Sequence, residues 1–230
     1  SISALNYVIT GVQIDNVTYF TDAAAKYGDW NLLPEKCMVP QARIIKPDNC
    51  QWIDLTEISK GMVMKTGKFE FIENEYVGRI TDTRKDNQAY DLKNSYYSHK
   101  DKDAFIETLS KSISCEIDSF DISNLDNTAE PIKIEYIQKT QVDVGEEFIY
   151  INPMINKQFQ ENQFRTETRV YPINFDYLTT YMQIIEIKIP EGYVVDEMPK
   201  PAKLVLNDND IVLTYRIGID GNLIKLNYLY

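Results

Sequence analysis

The chain has 230 residues, 43% of them hydrophobic and 12% aromatic, with 35 Asp and Glu against 24 Lys and Arg and a formal charge of −11 at pH 7. This apolar content argues against disorder, and the negative charge, with no Lys and Arg cluster on any predicted element, argues against nucleic acid and anionic membrane surfaces as partners. The longest uncharged apolar runs are strand-sized, so no membrane insertion is expected, and sixteen Tyr against two Trp favour a β-rich chain.

Residues 5–14 read as a strand, Asp15-Asn16 as a two-residue turn tolerant of left-handed dihedrals, and 17–22 as the returning strand. In that register Ile14 faces Val17 and Tyr7 faces Ala24. Tyr7 and Asp22 then project from one face as diagonal neighbours. The same residues also admit plain roles, Tyr7 as a strand former and Asp22 as the cap of a short helix at Ala23-Ala24-Ala25.

Asn6-Tyr7-Val8, then Asp22, then Leu32-Leu33-Pro34-Glu35-Lys36-Cys37 together resemble the second half of a transglutaminase-like cysteine catalytic core. The likeness is in particular to Bacteroides-type bacterial proteins that end in an extra β-domain. It implies a Cys nucleophile on an upstream helix, a His on the first strand and an Asp on the second. Asp22 matches the Asp, Tyr7 stands at the His position, and the Cys helix is expected before Ser1. A phenol with a pKa of about 10 stays protonated where an imidazole at about 6.5 would serve as base. Tyr7 and Asp22 are therefore expected to be a vestigial pair with no catalytic role, and the resemblance implies a periplasmic or extracellular location.

Further along, Pro34, Pro40 and Pro47 bar a long regular element, and 42–45 and 51–55 are short strand candidates. In the resembled family this stretch closes the core near Ser59, so 1–59 is read as a first unit. Residues 62–84 alternate apolar and polar as a meander of two or three strands, with turns expected at Gly67 and Asn74. Residues 86–102 are merely polar. Asp101-Lys102-Asp103 then opens an amphipathic helix with Phe105, Leu109 and Ile113 at four-residue steps. The acidic stretch 116–130 reads as an exposed edge strand, and 132–136 and 148–151 as strands around a turn at Gly145. Asn152-Pro153 closes an α+β middle section, 60–154. In 155–230, strand candidates at 165–173, 183–189, 193–194, 203–206, 211–217 and 223–229 follow one another with only turns between, the pattern of an antiparallel β-sandwich. Tyr171-Pro172-Ile173, Ile189-Pro190-Glu191-Gly192-Tyr193 and Pro199 resemble the C-terminal β-domain of the same bacterial proteins. The expected class is α+β and β-rich.

Other constellations point to ordinary roles. Cys37, Cys50 and Cys115 lack metal spacing and read as small buried hydrophobes, a Cys37–Cys50 bridge staying open. The single His99 sits in a polar loop, and Asn207-Asp208-Asn209-Asp210 suits a β-turn better than a Ca²⁺ loop. No metal or other cofactor is expected. Trp30, Trp52, Tyr90, Tyr96, Tyr97, Tyr177 and Tyr181 offer either core packing or a sugar-stacking platform. The leading expectation is a non-catalytic, exported structural or partner-binding segment whose partner is an unknown protein or a cell-surface polymer. The rivals are a fragment of an active cysteine-dependent transglutaminase or peptidase, and a cell-surface glycan-binding module.

Overall fold

A computed structural model describes residues 6–46, 50–128, 130–142, 148–155, 177–206 and 210–230. Strands β1 (Thr10–Ile14) and β2 (Val17–Thr21) pair antiparallel from Thr10↔Thr21 to Ile14↔Val17. Asp15 and Asn16 take φ of 47° and 64°, the two positive values that a tight two-residue hairpin turn requires. A single 3₁₀ turn follows Pro34, and β3 (Ala42–Ile44) and β4 (Gln51–Ile53) form a second small hairpin. Phe20, Leu33, Cys37 and Leu55 make a small buried core beneath this N-terminal lobe.

The rest is organised on one sheet of eight strands. Strands β5 (Lys60–Ile72) and β6 (Glu75–Asp86) form its long central hairpin, followed by α1 (Asn87–Ser98) and α2 (Lys102–Ile113). Next come β7 (Glu116–Ser123), β8 (Ile132–Gln141), β9 (Leu178–Lys188), β10 (Ala202–Leu206), β11 (Ile211–Asp220) and β12 (Leu223–Leu229). The spatial order is β10-β11-β12-β9-β5-β6-β8-β7. Every neighbour pair is antiparallel except β5 and β9, which run parallel from Lys60↔Leu178 to Phe69↔Ile187.

Side chains at every second position cover one face: Phe69, Ile80, Ile134, Tyr136, Ile185, Ile187 and Leu226 are all buried there. Leu92 of α1 and Phe105 of α2 pack onto that face. The N-terminus of α2 is capped by Asp101, whose Oδ1 accepts from the Ala104 N–H at 2.9 Å. Strand β7 lies at the sheet edge, and its exposed Asp118 pairs with Lys139 of β8.

The α+β, β-rich class is what the structure shows, with two α-helices and twelve strands among the described residues. Its arrangement differs from expectation in five places. Strands β9–β12 do not make a separate sandwich, because β9 lies beside β5 and extends the middle sheet. Turn-bounded strands announce themselves in a sequence, whereas a parallel partner more than a hundred residues away does not. Gly67 sits mid-strand, not in a turn. A Cβ there would approach the Phe69 ring to 2.8 Å and Ile80 and Ile155 to 3.0 Å, so the glycine makes room for packing. Residues 87–98, read only as polar, form α1, while 148–151 and 193–194 are not strands. The strand expected at 165–173, the Tyr171-Pro172-Ile173 motif, the turn at Gly145 and Asn207 to Asn209 of the acidic turn lie outside the described residues. No helix of the described residues is long and apolar enough to cross a membrane.

Candidate functional site: the hairpin face

The tight turn fixes the parity that brings Tyr7 and Asp22 together. The Tyr7 hydroxyl donates to Asp22 Oδ2 at 2.7 Å. Asp22 Oδ1 accepts from the Ala24 N–H at 2.9 Å, and the Asp22 carbonyl from the Ala25 N–H at 3.0 Å. Asp22 therefore closes a local turn, and no helix follows it. Its carboxylate is only 3% exposed, so the phenol and the backbone amide replace lost water.

Two residues of the Pro34 turn complete the cluster. Lys36 places its ammonium 4.0 Å from the centre of the Tyr7 ring, and its pKa is raised, first by its contact with the Tyr7 hydroxyl, with burial opposing and the Asp22 carboxylate adding to the rise. Cys37 is buried; burial pushes its thiol up, the Asp22 carboxylate pushes it further, and Lys36 opposes them. A thiol held neutral is a poor nucleophile at pH 7, and the phenol proton is committed to the carboxylate. Lys36 belongs to the face only because the chain turns at Pro34, which residue spacing does not reveal.

The other sequence candidates are placed elsewhere. His99 ends α1, with Nδ1 2.6 Å from the Ser95 carbonyl, Nε2 3.1 Å from Thr108 Oγ1 and its ring edge-on to Phe105. Cys37, Cys50 and Cys115 are free thiols, so the Cys37–Cys50 bridge does not form; Cys50 is exposed and Cys115 half-buried. The aromatic residues do not assemble into one platform. Tyr181 packs on Tyr228, Tyr96 on Phe105, Trp52 on Arg43, and Tyr177 bonds Gln88 and Asp91, while Trp30 and Tyr90 line a common cleft beside α1.

A second polar cluster lies beneath the covered face of the sheet. Arg84 grips Asp82 with two bonds, Nε to Oδ1 at 3.2 Å and Nη2 to Oδ2 at 3.0 Å, and Lys65 Nζ lies 3.5 Å from Oδ2. Burial alone would raise the Asp82 carboxyl, but Arg84 and then Lys65 outweigh it and hold it below the usual carboxylate range. Burial in turn lowers the Lys65 ammonium. The triad reads as a bidentate structural pair with a second cation alongside.

Residues 147–229 match the family DUF3858, described as a domain of unknown function with a solved structure. No curated protein and no solved structure matches the chain. The DUF3858 match includes β9–β12 and none of the residues of the hairpin face. It bears on the C-terminal half of the sheet only.

Proposed function

We propose that the hairpin lobe is a catalytically silent form of a transglutaminase-like core and that the chain serves as a structural or partner-binding segment of an exported bacterial protein. The observation that carries this reading is the 2.7 Å bond from the Tyr7 hydroxyl to Asp22. Where a cysteine enzyme of this kind needs an imidazole poised near neutrality, the chain holds a phenol that donates to the carboxylate and takes no proton from a thiol. The neutral, buried Cys37 beside it supports the same conclusion. The partner we propose is another protein or a cell-surface polymer, in the periplasm or outside the cell, as the likeness to exported bacterial proteins suggests.

The test is acyl transfer. The purified chain is incubated with a glutamine-containing peptide and a primary amine, and ammonia release and amine incorporation are followed. No turnover above buffer is expected. Turnover that iodoacetamide blocks and Asp22→Ala abolishes would sink the proposal, because it would require a working base on this face.

A further inference from the structure

Between α1 and the loop that leaves the first hairpin lies a cleft of about 310 Å³. One wall is a single face of α1 and its cap, Asp86, Ala89, Tyr90 and Lys93, at the i, i+3, i+4, i+7 spacing that lines up side chains on a helix. The other carries Tyr27, Asp29 and Trp30, and Glu130 stands at the end. None of Tyr7, Asp22, Lys36 or Cys37 borders it, so its role is independent of whether the hairpin face is silent.

Three features of the cleft are unspent by the fold. Lys93 is only 7% exposed, yet among the described residues no carboxylate lies within ion-pair reach of it, and its one close partner is the Tyr27 ring, 5.8 Å away. The covered stem holds the ammonium at the cleft with no anion beside it, so the site suits a ligand that brings one. Asn87, 2% exposed, donates from Nδ2 to the Leu33 carbonyl at 2.9 Å, whereas its Oδ1 has no partner among the described residues. Orphaned buried acceptors are rare and call for a donor. Asp86, at φ 55° and ψ −130°, holds a backbone conformation that non-glycine residues seldom adopt, and its side chain does not cap α1. Strain of that kind persists where the surroundings impose it, and it concentrates at binding sites.

The aromatic surfaces indicate what lies between the walls. Trp30 is 52% exposed, and Tyr19 packs edge-on against it at 6.2 Å. Tyr27 is fixed by stacking on Tyr97 at 5.1 Å and 20°. A supported, half-exposed indole at the mouth of a small cleft is a flat apolar platform. Beside it, Asp29, Asp86 and Glu130 supply acceptors for hydroxyl groups. A ligand with a flat C–H face, several hydroxyls and one negative charge meets all of these groups at once. We propose that the cleft binds an acidic saccharide, a pyranose carrying a carboxylate, with its ring against Trp30 and its carboxylate on Lys93. Exposed Lys60 and Lys85 also line the cleft and, with Lys93, balance its carboxylates in number, and it is the flat indole of Trp30 that favours a sugar ring over a bare anion.

The experiment titrates the full chain with short oligogalacturonides, the same oligosaccharides made neutral as methyl esters, and a Trp-containing dipeptide. Binding is read by calorimetry and by Trp fluorescence in a Trp52→Phe background, in which Trp30 is the sole indole. Saturable binding of the uronide is expected, about tenfold tighter than the neutral sugar, as one charge-assisted contact implies. Trp30→Ala should weaken it by at least about tenfold, as losing an aromatic anchor does. Lys93→Gln should remove the preference for the charged sugar while leaving the neutral one unchanged. Trp30 is exposed, so its replacement tests the site even if Lys93→Gln fails to fold. The proposal is overturned by absence of saturable sugar binding, by equal affinity for charged and neutral sugars, by tighter binding of the dipeptide, or by uronide binding that Trp30→Ala leaves intact.

Discussion

At Tyr7 a single oxygen atom separates a satisfied buried carboxylate from a stranded one. Tyr7→Phe keeps the ring under Lys36 and removes the bond to Asp22. The loss should cost about 1–3 kcal/mol, the penalty for a buried charged acceptor deprived of a donor, measured as a lower midpoint in urea unfolding. The thiols offer a second check. Iodoacetamide followed by peptide mass mapping should modify exposed Cys50 first and leave Cys37 protected in the folded chain, since Cys37 is buried and its thiol pushed up. Modification of Cys37 at the rate of Cys50 would contradict the packing around Leu33 and Leu55. The Tyr7–Asp22 pairing was legible because a two-residue turn leaves no freedom of register. Lys93 and Asn87 were not, since neither residue type nor spacing says that a polar side chain will be buried.

Among the elements, α2 was readable from its cap and its four-residue apolar steps, and β7 from its alternation beneath a load of carboxylates. Helix α1 escaped because it has no such stripe. Its buried positions are Asn87, Leu92 and Lys93, two of them polar, and Ala89 and Tyr96 join Leu92 against the sheet core only partly buried. The central hairpin was legible as strands but not in detail, because Gly67 looks like a breaker and functions, as Gly78 does, as a spacer. A Cβ on Gly78 would come within 2.2 Å of the Phe69 ring, which also stacks on Tyr76 at 4.6 Å. Gly78→Ala should therefore destabilise by about 1–3 kcal/mol through overpacking, and Phe69→Leu in the same chain should recover part of that loss. Thermal or urea unfolding of the two variants decides it. Equal stability of Gly78→Ala and the parent would show that the ring moves freely.

For the molecule as a whole, the buried Asp82 sets the response to acid. Its folded pKa is depressed by Arg84 and Lys65 below the unfolded value of about 3.9, so its contribution is complete above about pH 4 and is lost as pH falls through the folded pKa. Unfolding free energy followed from about pH 7 down to about pH 2 should fall on this limb, and Asp82→Asn should flatten it. The exposed pairs Arg79–Glu70 and Lys225–Asp220 add little, being solvated. At neutral pH the same substitution should cost about 3–5 kcal/mol, because it strands Lys65 and Arg84. The β-rich class was legible from composition and alternation. The joining of β9 to β5 was not, because strand patterns encode faces and leave partners unspecified.

That parallel seam governs where the chain enters and leaves the sheet. Lys60 of β5 pairs with Leu178, while Tyr230 exchanges backbone bonds with Tyr181, three residues along the same strand. Strand β9 thus lies between the sheet's first residue and its last, with both near one end and about 14 Å apart, two strand spacings across and three residues along. A surface anchor or a pulling handle joined at Tyr230 would emerge next to the N-terminal lobe. Tension applied across the two points would open the sheet by peeling strands one after another from that end, and would not slide them along their length.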